Sequence, residues 1–231
     1  MATHLLTGAS SGIGKAVAEV LHARGDGLVL LARNDERATE LAETFPGADV
    51  RVVDLADPSA ADRFGDLPGQ LDSMLHVAGV VELAPVADLR ADHLREQLDV
   101  NLVAPALITR ACLPALRAAR GTAMFVNSSA GLAAGATWSA YAASKFGLRA
   151  LADALRSEEM GNGVRVTTVF PSRTATPMQE KVHEQEGKTY DSSRWISPST
   201  VAATILHVLD LPHDATIPEV TVRPLVPWTP R

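Results

Sequence analysis

Tyr141 and Lys145 stand four residues apart in YAASKFGLRALADALR, a stretch with helical apolar spacing. On a helix, side chains at that separation share a face. A phenol titrates near ~10 when unperturbed, too high for a good base at neutral pH. A neighbouring ammonium favours phenolate, so the pair reads as an acid/base group in which Lys145 draws the Tyr141 pKa down. Ser128 closes the apolar run TAMFVNSS, where a strand would end. Its hydroxyl suits donation to an oxygen on which charge develops. Together these groups fit carbonyl reduction, in which a proton reaches oxygen and a cofactor supplies a hydride. Each also has an ordinary structural explanation. A tyrosine and lysine at this spacing are often a surface pair, Ser128 and Ser129 could cap a turn, and Asn101 could be a helix residue bonded to backbone. The functional reading rests on one serine, one Tyr–Lys pair and one phosphate turn fitting the same site.

That turn is TGASSGIG, residues 7–14. Gly8, Gly12 and Gly14 follow the spacing G-x-x-x-G-x-G, with Ser10, Ser11 and Ile13 between them. Such glycines permit a tight turn and close approach of a pyrophosphate. The helix that follows offers free N–H groups and the positive end of its dipole. Arg33, in LLARNDER, stands at the end of the second candidate strand. An acid there would accept from a free ribose 2′-hydroxyl, whereas an arginine suits a 2′-phosphate. Arg33 therefore favours NADP(H), with NAD(H) possible; pairing with Asp35 or Glu36 is its structural explanation. Asp54, followed by Leu55, could accept from an adenine amino group or cap the next helix.

The elements that position these residues alternate. Candidate strands cover 3–7, 27–32, 49–54, 73–77, 122–127, 164–170 and 216–222. Continuous apolar runs such as 28–32 suit strands covered on both faces. Candidate helices cover 12–24, 34–44, 58–64, 91–119, 139–160 and 198–209, with Pro105 and Pro114 expected to bend or break the fourth. This order predicts an α/β fold, a single Rossmann-like domain over 1–231 with a doubly wound parallel sheet of about seven strands and helices on both faces. Ser128 then sits at the carboxyl end of the fifth strand, where ligands bind in such sheets. Residues 176–196 are polar and mixed and read as a mobile flap, part of it a short helix. Met178, His183, Tyr190 and Trp195 are its candidate substrate contacts, joined by Trp138 before the Tyr141 helix. Residues 223–231 read as an extended tail.

The bulk numbers narrow the setting. The 231 residues carry 46% apolar and 21% charged side chains, which is ordinary for a globular chain. A net charge of -6 gives no electrostatic reason to expect nucleic acid or an anionic membrane surface. No stretch reaches the ~18 uninterrupted apolar residues of a membrane span, and a glycine turn stands where a signal peptide would continue its apolar run. The expected location is cytoplasmic, with no membrane partner. The lone Cys112 reads as a buried hydrophobe, and the seven histidines lack ligand spacing, so no metal is expected.

In order along the chain, TGASSGIG, DL at Asp54, AG at Ala78 and Gly79, Asn101 in DVNL, SS at Ser128, YAASK at Tyr141 and the segment from Pro171 to Thr176 form one pattern. The chain resembles the short-chain dehydrogenases/reductases in their compact form, over nearly its whole length. The resemblance implies that Tyr141 is the acid/base, Lys145 its activator and ribose ligand, Ser128 the carbonyl partner and Asn101 part of a proton relay. It also favours Ser128 over Ser129, thirteen residues before Tyr141. Ala78, Gly79, Pro171, Thr174 and Thr176 would line the nicotinamide half of a dinucleotide, and a homodimer or homotetramer is implied. Three positions depart from the pattern. His76 and Val77 replace two asparagines that brace the central strands, Ser172 replaces a glycine, and Ser11 stands where NADP-preferring members often carry a second basic residue. The reading is an NAD(P)-dependent carbonyl reductase or alcohol dehydrogenase acting on a small carbonyl or alcohol. Its alternatives are a non-catalytic NAD(P)-binding redox sensor, which would need none of the three catalytic groups, and a nucleotide-sugar epimerase or dehydratase, which would need a longer carboxyl-terminal region.

Overall fold

Seven parallel strands lie in the order β3-β2-β1-β4-β5-β6-β7 in a computed structural model that describes residues 1–57, 59 and 66–225. They are β1 Thr3–Thr7, β2 Gly27–Ala32, β3 Asp49–Val52, β4 Ser73–His76, β5 Thr122–Val126, β6 Arg165–Pro171 and β7 Glu219–Val222. The strand order reverses direction between β1 and β4, so their carboxyl ends open a crevice at the middle of the sheet. The expected helix at 58–64 and the tail beyond 225 lie outside the described residues.

Alternation along the strands builds two cores. Leu5, Val29, Leu31, Met74, Ala123 and Phe125 face one side, where they pack with Ile108, Cys112 and Leu116 of α4 (Ala104–Ala119) and with Leu148, Ala152 and Leu155 of α5 (Ser139–Glu159). Leu6, Leu28, Leu30, Leu75, Met124 and Val126 face the other. There they meet Val17 and Leu21 of α1 (Gly12–Ala23), Leu41 of α2 (Asp35–Thr44) and Val201 and Ile205 of α7 (Pro198–Leu209). Adjacent strand residues point to opposite faces, so a continuous apolar run feeds both layers.

The long helical stretch is not broken at either proline. It runs as α3 (Ala91–Leu98), one π-helical turn (Asp99–Val103) and α4. Pro105 falls in the first turn of α4, directly after the π-helical turn in which the helical register widens. Pro114 is accommodated inside α4. Within Ala91–Ala119 an 18-residue window is apolar enough for a membrane span, at mean hydropathy 1.4. The apolar side of α4 is nonetheless the face packed under the sheet.

The flap is folded. Its stem is a parallel bridge between Thr174 and Ile196, with Ala175 N donating to the Ile196 carbonyl at 2.8 Å. Between these points lie α6 (Pro177–Gln185) and a 3-10 turn at Ser192–Arg194. Glu82, in the loop after β4, accepts from Lys181 at 2.8 Å and from Gln185 at 2.6 Å, which ties α6 across the mouth of the crevice.

Candidate active site

The turn after β1 is built for close approach. Gly8 and Gly12 adopt φ of 76° and 53°, in the left-handed region that favours glycine. A Cβ on Gly14 would lie 2.1 Å from the Gly8 carbonyl oxygen, and one on Gly8 would lie 2.8 Å from the Ala78 nitrogen. The β1 turn and the end of β4 therefore touch backbone to backbone. Thr7 Oγ1 holds that contact by accepting from Val77 N at 3.0 Å and Ala78 N at 3.1 Å. Such a cradle, opening a helix at its amino end, fits the pyrophosphate of a dinucleotide.

A cavity of about 1210 Å³ runs from this turn along the carboxyl ends of the strands. Ligand pockets for one small molecule are commonly about 300–1,000 Å³, so this one has room for a dinucleotide and a second molecule. Among the sequence-predicted residues, Gly8, Ser10, Ser11, Gly12, Ile13, Gly14, Arg33, Asp54, Leu55, Ala78 and Gly79 line it. So do Ser128, Tyr141, Lys145, Pro171, Thr174 and Thr176. Arg33 is exposed and makes no ion pair with Asp35 or Glu36 among the described residues. Arg37, one helical turn further on, also faces the cavity and pairs with Glu40. Asp54 Oδ1 accepts from Ala56 N at 3.0 Å, closing a turn while the residue lines the cavity.

Tyr141, Ser128 and Lys145 meet at one wall. The Tyr141 hydroxyl is hydrogen-bonded to Ser128, and the Lys145 ammonium lies 5.7 Å from the Tyr141 ring centroid. Lys145 Nζ donates to the Val126 carbonyl at 3.2 Å. The expectation that Lys145 draws the Tyr141 pKa down is corrected here. Burial pushes the phenol up to about 12, only partly offset by the Ser128 hydrogen bond. Burial also brings the Lys145 ammonium down to about 8. Desolvation dominates both shifts because both groups are enclosed, and the ammonium is turned toward a carbonyl.

Asn101 is close to this centre but does not line the cavity. Its Oδ1 accepts from Val80 N at 2.9 Å, and its Nδ2 donates to the Val80 carbonyl at 2.9 Å and to Ser144 Oγ at 3.0 Å. Ser144 Oγ in turn donates to the Tyr141 carbonyl at 2.7 Å. The side-chain amide thus braces the loop after β4 against α5.

One bracing residue escaped the sequence reading. Asn127 Nδ2 donates to the Lys145 carbonyl at 2.9 Å, and its Oδ1 accepts from Ser128 N at 2.8 Å. An asparagine just before a strand-end serine was its only signal. His76, at one of the departing positions, does bind across layers. It stacks on Phe125 at 5.1 Å and its Nε2 meets Thr109 Oγ1 at 3.0 Å. Ser172 needs no glycine freedom and donates its N–H to the Val222 carbonyl at 2.9 Å. In the flap, Met178 and Trp195 line the cavity with Trp138. His183 is buried against Tyr190 and Trp195, and neither His183 nor Tyr190 forms part of the cavity wall.

A parallel sheet reversing at β1/β4, a glycine cradle and a Ser–Tyr–Lys wall define a dinucleotide-binding α/β oxidoreductase scaffold. The short chain dehydrogenase profile matches residues 2–187, and the chain belongs to that family. It is 33% identical over 226 residues to an uncharacterised short-chain type dehydrogenase/reductase of Sinorhizobium fredii, covering 95% of this chain and 90% of that one. An uncharacterised oxidoreductase of Listeria monocytogenes is 30% identical over 248 residues, covering 97% of each. Among solved structures, a short chain dehydrogenase of Escherichia coli CFT073, complexed with NADPH, superimposes with a TM-score of 0.85 at 27% identity. That match covers 96% of this chain and 97% of the other.

Proposed function

We propose that this chain is a single-domain, NADP(H)-preferring carbonyl reductase or alcohol dehydrogenase of the cytoplasm. The observation that carries the proposal is the Tyr141 hydroxyl, hydrogen-bonded to Ser128 and beside Lys145 on the wall of the dinucleotide-sized cavity. When bound, the nicotinamide dinucleotide supplies or takes up the hydride at the substrate carbon. Ser128 and Tyr141 hold the substrate oxygen. As that oxygen gains charge, Tyr141 gives it a proton, and in the reverse direction takes one back. A phenol held near 12 is protonated at neutral pH, the state from which it can give a proton to the substrate oxygen. Lys145 places a positive charge beside the phenol and can hold the ribose hydroxyls. Asn101 braces α5 through its side-chain amide, and its part in a proton relay belongs to the same reading.

Three observations favour NADP(H). Arg33 presents a guanidinium with no ion pair among the described residues at the end of β2, Arg37 adds a second cation on the same wall, and related structures hold NADP or NADPH. The dinucleotide sensor is disfavoured by the three catalytic groups facing one cavity. A homodimer or homotetramer is part of the same reading.

The test is a titration of nicotinamide fluorescence with NADPH and NADH on the wild type and on Arg33→Ala. NADPH should bind more tightly, and Arg33→Ala should remove that preference while leaving NADH binding within a factor of about two. Equal or tighter NADH binding by the wild type would reject the NADP assignment, and binding of neither would reject the enzyme itself.

A further inference from the structure

Beyond Pro171 the cleft contains a charge that the chemistry above does not use. Arg173 lines the cavity, and its guanidinium lies 5.9 Å from the Trp138 ring and 5.5 Å from the Trp195 ring. Both ends of its fork are taken by Glu186, just past α6, with Nη1 donating to Oε2 at 3.0 Å and Nη2 to Oε1 at 2.5 Å. Lys188 adds a further contact to Oε2 at 3.1 Å. The Glu186 side chain is only 12% exposed. Burial pulls its carboxyl upward, but hydrogen bonds from Arg173 and Lys188 outweigh this and hold it below its ordinary value. The rest of this end is apolar. Val81, Tyr141 and Val182 form a buried cluster with Trp138 and Met178 against it, and Leu132 lines the same cavity.

A bidentate arginine in an aromatic cleft suggests a carboxylate receptor at first sight. Here the receptor is already filled by the protein's own carboxylate. A substrate carboxylate would have to share the guanidinium with Glu186 or displace it, and either way two like charges meet in a poorly hydrated space. Arg223 also borders the cavity, but it is exposed, so water screens it and it offsets little of that cost. Glu82 on the loop facing α6 is committed to Lys181 and Gln185 and adds no positive charge.

We infer that the substrate is an uncharged, apolar carbonyl or alcohol, and that the Arg173–Glu186 pair is a specificity element that closes the cleft to carboxylates. This rests on the carbonyl-reductase reading. Glu186 acts as a built-in competitor for the anion site, and the two indoles hold the neutralised guanidinium as part of the wall. Removing the Glu186 charge should turn the wall into an anion receptor, because Arg173 then lacks a full partner.

The experiment compares ethyl acetoacetate with acetoacetate, which present the same ketone without and with a carboxylate. NADPH consumption gives kcat/KM for each, and ligand-observed NMR on the NADP-loaded protein gives Kd for each. The wild type should favour the ester by roughly 100-fold in both readouts, the scale on which an unpaired buried charge is rejected. Glu186→Gln should move the acid-to-ester ratio toward the acid by about tenfold or more. Arg173→Met should leave that ratio low, and thermal unfolding of each variant shows that it is folded. If the wild type takes the acid as well as the ester, or Arg173→Met selectively loses the acid, Arg173 is a substrate ligand and the inference is overturned. If neither compound is reduced, the carbonyl-reductase reading fails on these ketones, and the NMR preference still decides whether the cleft rejects the anion.

Discussion

Asn127 Nδ2 donates to the Lys145 carbonyl at 2.9 Å, so a residue just past the end of β5 holds the backbone of the helix that carries Tyr141 and Lys145. The same side chain accepts from Ser128 N at 2.8 Å, which fixes the serine relative to Tyr141. Space there is tight, since a Cβ on Gly131 would lie 2.3 Å from Asn127 Oδ1. Asn127→Ala should leave the Lys145 carbonyl and the Ser128 N–H without their buried partner, costing about 1–3 kcal/mol for each group left unsatisfied. The expected result is a lowered Tm and a kcat reduced about 10- to 100-fold, since misplacement of about 1 Å can cost that much. NADPH binding by fluorescence should change by less than about threefold, because the phosphate turn is untouched. An unchanged kcat in a destabilised variant would assign Asn127 to folding alone.

Gly14 and Gly25 separate two reasons for a glycine. A Cβ at Gly14 meets the Gly8 carbonyl oxygen at 2.1 Å, whereas a Cβ at Gly25 meets nothing within 4 Å and carries only a φ of 79°. Gly25→Ala should cost only left-handed backbone strain, about 1–2 kcal/mol. Gly14→Ala must push α1 away from the β1 turn and should abolish measurable dinucleotide binding. Calorimetric titration with NADPH on both variants checks the contrast.

His76 makes stability depend on mild acid. Burial, with a smaller contribution from the Lys145 charge, brings its pKa down to about 3, and its Nδ1 has no hydrogen-bond partner among the described residues. The unfolded chain binds a proton at His76 below its ordinary 6.5, while the folded chain refuses it down to about 3. The stabilising contribution is therefore complete above 6.5 and is lost as the pH falls from there toward 3. Its slope approaches about 1.4 kcal/mol per pH unit in that window. His76→Leu should flatten the dependence of urea midpoints on pH between 6.5 and 4. An equal slope in the variant would place the acid sensitivity elsewhere.

Lys145 should show a conflict between stability and activity. Burial lowers its folded pKa from 10.5 to about 8, so the folded protein carries the full penalty of a buried ammonium below pH 8. Between 8 and 10.5 the unfolded chain binds more protons, and stability should rise with pH by up to about 3 kcal/mol. Above 10 the raised Tyr141 pKa works in the opposite sense, since the folded phenol keeps its proton up to about 12. Lys145→Met should raise Tm at pH 7 while reducing kcat at least about 100-fold. Carbonyl reduction by the wild type should decline as the pH passes 8, with the loss of the ammonium. A variant that is both less stable and active would reverse the assignment.

Local order was legible in the residues themselves. Strict alternation of short apolar runs with helical spacing is a property of neighbouring residues, and it sufficed for seven strands and a doubly wound sheet. Glycine at 8, 12 and 14 marked the phosphate turn because no other residue type permits those contacts. Tyr141, Lys145 and Ser128 stood out as candidates because their chemistry is unusual in company and their spacing places two of them on one helix face; the fold brings all three to one cavity.

What only the tertiary structure decided was how each group is partnered. Asn101 and Asn127 are chemically alike, yet both became braces because their amides found backbone and serine partners across elements. The tyrosine and lysine titrate as they do because the packed layers exclude water, and desolvation depends on everything around a group. Arg173 and Glu186 lie thirteen residues apart with no pattern joining them. The fold of the flap committed that apparent anion site to the protein's own carboxylate. A sequence states which groups a chain owns, but hydrogen bonds, burial and charge neutralisation act through space.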